Sequence, residues 1–518
     1  MNDVPPVPHR GVHNCWDYFN CPTLLFERYF QGQKSDKRFF ACSACRDRKD
    51  CDFFQHEDEK ISDARKQARH EFNRSKQPEY THNEYYKRYQ SALREKPSKR
   101  SYCHHCNLLL SPKETKSHGN HRMTTNISNE QLLKPSFVMA PLENKKTNAQ
   151  YLYNEKTVEF LLKTIQTLGF DRVVCIGTPR LHEVIMSSEQ KKLDSLLLDI
   201  DHRYYQFYPP NNYCRYNMFN HHFFDGDESE KYFQDFLHRN GGDGVVVVTD
   251  PPFGGLVEVL AFTIKRIMML WHKDKTDVCR FQDLPVIWTF PYFLEFRIVK
   301  WLPSFHMSDY KVGYDNHALF QCGKKNKGTP VRLFTNLSPK TFVLPKEDGY
   351  RFCDVCDRYI SSENVHCEKC NKCTSKDGRR YHHCELCNHC VKPGREHCST
   401  CNRCELVKHR CISDRSSLGC HICGDLTHKR RECPQRTAAK PGGKGNRKRK
   451  HNSLASDTAG SSDTTVIDES FKTSADNVNC RKDSIESTGV YTTDNTPCKH
   501  RRKPSKSNKK KRKFHKKS

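Results

Sequence analysis

No stretch of the chain approaches the roughly 18 consecutive apolar residues that a membrane-spanning helix needs. The first fifteen residues, MNDVPPVPHRGVHNC, also lack the apolar core of a secretory signal. Neither a membrane protein nor a secreted one is expected, so the compartment should be reducing. Acidic residues are in deficit too, 61 Asp and Glu against 88 Lys and Arg, which leaves a net charge of +27. That balance points to a polyanionic partner, because neutralising phosphates releases condensed counterions. About half of the excess lies beyond Arg436, in a tail poor in apolar residues, 436–518, where disorder is expected. Within that tail RKRK (Arg447 to Lys450) and KKKRK (Lys509 to Lys513) read as nuclear or nucleolar targeting signals, with a cytoplasmic pool also expected; solvated charge is the plainer alternative.

Cysteine is what the chain has in quantity, 28 residues, and most of them fall in short clusters with nearby histidine. In a reducing compartment such clusters are metal ligands rather than disulfides. Over 13–56, RFFACSACRDRKDCDFFQ sets Cys42 and Cys51 nine apart, each beside a phenylalanine pair. This half resembles a GRF-type zinc finger, a module that binds single-stranded nucleic acid. Two further ligands are needed for a tetrahedral zinc; Cys15 and Cys21 are the first choice and His13 the third, with Cys45 spare. Residues 57–100 are charged, lack glycine and read as a helical connector with solvated faces. Residues 101–125 carry Cys103-x2-Cys106, eleven residues and His118-x2-His121, a Cys2His2 site with a His spacing shorter than in DNA-reading fingers.

Between 135 and 345 the pattern changes. Apolar runs (RVVCIG, SLLLDID, YCRYN, GVVVVTD, PVIWTFP, DYKVGYD and VRLFTN) alternate with amphipathic stretches such as TVEFLLKTIQTLG and LVEVLAFTIKRIMMLW. Strands alternating with helices predict an α/β domain with a parallel sheet covered on both faces. Ligands bind such sheets beyond the carboxyl ends of the strands. Just after GVVVVT stand Asp250, Pro251, Pro252 and Phe253, matching motif IV of the amino-methyltransferases. An exocyclic amine is a weak nucleophile because its lone pair is delocalised into the ring. A carboxylate and a proline carbonyl can accept its two N–H groups, while a phenyl face stacks on the base, worth about 1–3 kcal/mol. The base must be unpaired or flipped to enter. Upstream, Gly177, Thr178, Pro179 and Arg180 form the turn after the first strand, without a full Gly-x-Gly-x-Gly. An acid one strand later commonly binds the cofactor ribose: Asp199 is preferred and Asp201 stands close behind. Asn217, Met218 and Phe219 fall where the cofactor adenine is expected.

PLENKKTNAQYLY, GTPRLHE, LLLDID, YNMFNHHFFDG and TDPPFGGLVE, with RFFACSACRDRKDC before them and a Cys-rich block after, resemble the zinc-knuckle (CCHC) domain-containing ribosomal RNA adenine-N6 methyltransferases. The resemblance implies a Rossmann-like, seven-stranded methyltransferase sheet flanked by zinc modules, with S-adenosylmethionine and several zinc ions as cofactors. It also implies that Gln150, Tyr151, Leu152, Tyr153, Gly177, Arg180, His182, Asp199, Asn217 and Asp250 line the cofactor pocket. The implied partner is structured large-subunit ribosomal RNA with an unpaired adenosine, ribosome-biogenesis proteins being a further class.

Over 350–412 a unit repeats: HCEKCNKC, HCELCNHC, HCSTCNRC. Cys353, Cys356, His366, Cys367, Cys370, Cys373, His383, Cys384, Cys387, Cys390, His397, Cys398, Cys401, Cys404, His409 and Cys411 are enough ligands for three zinc ions or four, with interleaving expected. The block resembles the Cys-rich domain of DHHC palmitoyltransferases and the CTCHY domain of some ubiquitin ligases. Its tetrad is Tyr-His-His-Cys (Tyr381 to Cys384) and no membrane helices accompany it, so a zinc-stapled scaffold is expected rather than palmitoyl transfer. Over 418–435, Cys420, Cys423, His428 and Cys433 have CCHC zinc-knuckle spacing, a module associated with single-stranded RNA, with Lys429, Arg430 and Arg431 beside it. Two other functions stay open on these residues: a non-catalytic RNA-binding scaffold and a protein methyltransferase.

Overall fold

The structure is a computed structural model, and it describes residues 23–30, 33–42, 53–75, 77–142, 150–190, 192–273, 279–317, 329–407, 409 and 411. The expected ligands Cys15, Cys21 and Cys51, the zinc knuckle and the tail lie outside these residues. Of the N-terminal site only the backbone of Cys42 is described, at the end of strand Gln33–Cys42. That strand pairs with Thr23–Phe30 and Phe54–His56, and the aromatics noted in the sequence stack across it: Phe39 lies 5.7 Å from Phe26 and 4.8 Å from Phe54.

At the centre is a mixed sheet of eight strands. In chain order they are β1 (Arg172–Ile176), β2 (Asp194–Asp199), β3 (Tyr213–Asn217), β4 (His222–Phe223), β5 (Val245–Thr249), β6 (Val286–Pro291), β7 (His306–Met307) and β8 (Val331–Thr335). Their order across the sheet is β4-β3-β2-β1-β5-β6-β8-β7. The five central strands, β3 to β6 through β1, are parallel, whereas β8 runs antiparallel to β6. The runs RVVCI and VVVVT are wholly buried, as strands covered on both faces must be. Successive side chains alternate: Val173 and Cys175 join a core with Leu161 and Ile165 of helix α1 (Glu155–Thr167). Ile176 points to the other face, beside Leu260 and Ile264 of α4 (Val257–Lys273). Helices α2 (Pro179–Ser187) and α3 (Asp227–His238) complete the layers, α2 beside α1 and α3 beside α4.

Three expectations need correction. The sheet has eight strands, one more than seven, because the chain after β3 turns back through His221, whose φ is 53°, and adds the two-residue β4 at the edge. DYKVGYD is not a strand: the short β7 precedes it, and only Tyr314 makes a bridge, to Tyr153. Its alternation reflects side chains buried against different neighbours rather than a sheet ladder. Third, the connector is not solvated throughout. It forms two helices, Asp63–Ser75 and His82–Arg94, separated near Pro78. The second starts in a capping box from Thr81 and Glu84 and buries Tyr85, Tyr89 and Ala92. Tyr85 stacks on Tyr205, 6.1 Å away, and the small sheet around Cys103 joins the same core through Tyr102 and Leu109.

One buried ion pair fixes this junction. Asp201 and Arg203, just past β2, are nearly inaccessible, and the guanidinium reaches the carboxylate at 2.6 Å while donating to Ala140 O at 2.9 Å and Gln150 Oε1 at 3.2 Å. Arg203→Met leaves an uncompensated buried carboxylate and should lower unfolding free energy by about 3–5 kcal/mol. A denaturant midpoint unchanged from wild type would contradict this.

Candidate active site

The carboxyl ends of β1 and β5 are pinned together where the strand order reverses, Asp250 N donating to Ile176 O at 3.1 Å. The chain then makes a tight turn through Asp250, Pro251, Pro252 and Phe253, closed by Gly255 N donating to Pro252 O at 2.7 Å. A Cβ at Gly255 would meet Phe219 at 2.8 Å, so the turn packs directly onto the segment after β3. Burial pushes the Asp250 carboxyl well above the usual carboxylate range; the Tyr314 hydroxyl, donating to Oδ1 at 3.1 Å, opposes that rise.

Phe253 stands in an aromatic wall. Tyr151 lies nearly parallel to it, with centroids 6.5 Å apart and planes at 19°; Phe290 and Tyr314 meet it edge-on at 6.0 and 6.3 Å. Asp250 to Phe253 and Tyr151 are therefore brought together. Tyr153 backs this wall, its ring 5.6 Å from that of Tyr314, while Gln150 and Leu152 make other contacts. Gln150 donates to Asp201 Oδ2 at 3.0 Å, Leu152 is buried, and the Tyr153 hydroxyl is 2.7 Å from Thr289 Oγ1.

The turn after β1 comes within van der Waals reach of the same place. Gly177 has φ +64°, and a Cβ there would meet Met218 Cε at 2.9 Å and the Asp250 carbonyl at 3.2 Å. Only a residue without a side chain fits this cradle. Thr178 and Pro179 are buried at the start of α2. Arg180 reaches Ser136 Oγ at 2.8 Å, Glu183 at 3.2 Å and Asp315 at 3.3 Å. The two candidate acids differ. Burial, and then the charge of Asp201, raise Asp199 to about 7; its Oδ1 accepts the Asp201 N–H at 3.0 Å. Burial acts the same way on Asp201, but Arg203 outweighs it and holds the carboxyl below its ordinary value. Asp201 is thus committed to the scaffold, and Asp199 is the acid with hydrogen-bonding capacity for a diol. Asn217 accepts the Phe219 N–H at 3.0 Å, while Met218 borders a narrow apolar cavity with Ile176, Thr249, Pro251, Leu260 and Trp288. His182 is elsewhere: it is fully buried, bonded to Ser195 Oγ at 2.8 Å near the amino end of β2, and burial lowers its pKa to about 3.

Three consecutive residues that sequence reasoning missed hold these parts together. Besides Tyr314 on Asp250 and Asp315 on Arg180, the Asp315 N–H donates to Leu152 O at 2.9 Å. Asn316 accepts from Leu152 N at 2.8 Å and donates to Gln150 O at 2.7 Å. Nothing in DYKVGYDN marks them, because their partners lie more than a hundred residues away or, for Asp250, 64 positions upstream.

Among the described residues, five Cys/His groups have their donor atoms within 4.8 Å of one another. One is Cys103, Cys106, His118 and His121. The other four interleave through the repeats: Cys353, Cys356, His366 and Cys373; Cys367, Cys370, His383 and Cys390; Cys384, Cys387, His397 and Cys404; Cys398, Cys401, His409 and Cys411. A zinc–sulfur bond of about 2.3 Å implies tetrahedral edges of about 3.7 Å. Cys356 to Cys373 is 3.7 Å, Cys373 to Cys353 3.6 Å and Cys356 to His366 3.2 Å. The donor sets and spacings fit a tetrahedral metal. In each case the residue after the second cysteine of Cys-x2-Cys (Asn107, Asp357, Asn371, Asn388 or Asn402) has φ between 48° and 54°. Asn and Asp tolerate that left-handed conformation best among residues with a side chain, which explains the recurring Cys-Asn.

A family model described as probable N6-adenine methyltransferase matches residues 144–336. The chain is 51% identical over 434 residues to the rRNA N(6)-adenosine-methyltransferase ZCCHC4 of Homo sapiens, covering 83% of this chain and 84% of that protein. It is 51% identical over 417 residues to the Mus musculus protein of that name (80% and 81%) and 50% identical over 459 residues to the one from Xenopus laevis (88% and 91%).

Two outcomes are expected of this site. Gly177→Ala should weaken S-adenosylmethionine binding about tenfold, since the turn must open by a few tenths of an ångström in a conformation hostile to Cβ; unchanged calorimetric affinity would detach this turn from the cofactor. Cys387→Ser should release more than one equivalent of metal per chain, because its hairpin also serves the preceding group, whereas Cys106→Ser should release one. Elemental analysis giving one equivalent for both would disprove the coupling.

Proposed function

The chain belongs to the family of rRNA N(6)-adenosine-methyltransferases, and we propose from that footing that it methylates N6 of an unpaired adenosine in large-subunit ribosomal RNA. The observation that carries the reading is the desolvated Asp250 carboxyl at the end of β5, next to Phe253 and on a residue whose backbone carbonyl packs against the Gly177 turn. Asp250 and the Pro251 carbonyl accept the two N6–H groups and draw the amine lone pair out of the ring, while Phe253 stacks on the base. Asp250, whose proton affinity burial has raised, is the group available to take the proton N6 sheds after transfer. Gly177, Asp199, Asn217 and Met218 hold S-adenosylmethionine in this reading, Asp199 accepting from the ribose hydroxyls. When bound there, the cofactor supplies an electrophilic methyl on its sulfonium. Excluding water and fixing the amine in line, more than acid–base chemistry, provide the acceleration.

The sheet, less the edge strand β4, is assigned to the seven-stranded Rossmann-like class, and the five Cys/His groups to zinc. The net charge of +27 supports RNA as the macromolecular partner. The two basic clusters of the tail support a nuclear and nucleolar residence with a cytoplasmic share, in contact with ribosome-biogenesis proteins.

Purified protein with methyl-labelled S-adenosylmethionine and ribosomal RNA should transfer label that ribonuclease removes and protease does not. Asp250→Ala should cut the rate by about 10²–10³, the range seen when one oriented electrostatic partner is removed. Label that follows protease would favour a protein substrate, and no transfer by the wild-type chain would leave a zinc-rich RNA binder.

A further inference from the structure

Asp250 meets two conflicting demands: it must be shielded from water, yet ionised to accept an amine proton. Burial alone favours the protonated acid, which would present a donor to the base instead of an acceptor. Among the described residues no cation acts on this carboxyl. The titratable groups facing it are phenols, Tyr314 in direct contact and Tyr153 behind it. Tyr151 and His317 lie further along the same aromatic wall. The cation of the neighbouring turn, Arg180, is engaged by Glu183 and Asp315.

We propose that Tyr314 is the positioning residue of methyl transfer: its hydroxyl fixes Asp250 Oδ1 and leaves Oδ2 turned to the target amine. This rests on the reading of the site as an amine methyltransferase. The phenol is nearly inaccessible and its backbone is bridged to Tyr153. The next two residues are anchored on Arg180, Leu152 and Gln150. The hydroxyl therefore arrives already oriented, and a hydrogen bond to a carboxylate in so dry a place is among the strong ones. It sets the rotation of the carboxyl and its charge with one contact, from a residue 64 positions beyond the Asp-Pro-Pro-Phe motif.

The test is the pH dependence of kcat on ribosomal RNA at saturating cofactor, for wild type and Tyr314→Phe, with calorimetric cofactor affinity and the unfolding midpoint measured alongside. Removing a donor to the charged form raises the carboxyl pKa, so the acidic limb should move up by about one unit. Turnover should then be about tenfold low at the acid end and converge on wild type at the alkaline end, with cofactor affinity unchanged. Replacement of Tyr314 by 3-fluorotyrosine, the same shape and a stronger donor, should move the limb down. In an Asp250→Asn background, adding Tyr314→Phe should leave the residual rate without a pH-dependent component. A loss equal at all pH values, a parallel loss of cofactor affinity, or an unmoved limb in both variants overturns the proposal. Failure of the wild-type chain to methylate RNA would sink the functional reading; a working wild type with an unmoved limb sinks only this one.

Discussion

The meeting of two strand ends governs the rest of the molecule. Asp250 N bonded to Ile176 O brings β5 and β1 so close that the turn after β1 can carry no side chain, and the gap between them is where a methyl donor and an acceptor would share a wall. Such an approach is costly in backbone freedom. It persists because both strands are buried along their length and their neighbours fix them in parallel register. The 314–316 segment supports that separation from the side, through Asp250, Arg180, Leu152 and Gln150.

Support arrives through polar groups placed where they cannot be solvated. Arg203 commits Asp201 and steadies Gln150, and Asn316 grips the backbone on either side of Tyr151. Asp309 receives the first metal hairpin through Ser361 N at 3.0 Å and Asn364 Nδ2 at 2.9 Å. Five residues on, the same stretch of chain delivers Tyr314 to Asp250. The metal block and the site are thus joined by a short covalent path with an anchor at each end.

Much of this was legible in the residues. The apolar runs identified the central strands because burial on both faces forces continuous hydrophobicity, and Asp-Pro-Pro-Phe fell at a strand end as its chemistry requires. The paired cysteines marked the ligands and their interleaving, but which four share a set came only with the hairpins. What escaped was long-range and polar. LLLDID favours Asp199 over Asp201 only narrowly, and the position of Arg203 is what separates them. His182 stands in a suggestive turn yet faces inward, since one helical turn carries it away from the strand ends to Ser195. The alternation in DYKVGYD resembled a strand because Tyr310, Val312 and Tyr314 are buried, although against core and site rather than beside a ladder partner. Periodicity reports burial, and it is silent about what does the burying.

The repeats of the metal block divide their ligands outward: each His-Cys-x2-Cys-x2-Cys unit sends its His and last Cys backward and its first two Cys forward. No repeat owns a complete set of four; each set is a rivet between successive links. Deleting a whole link would shorten the array by one set and still leave every remaining set of four complete, whereas losing half of a link would leave a set incomplete. Such an array can change its length only in whole steps, and its terminal half-sets, Cys353 with Cys356 and His409 with Cys411, are the end pieces any version of it must retain.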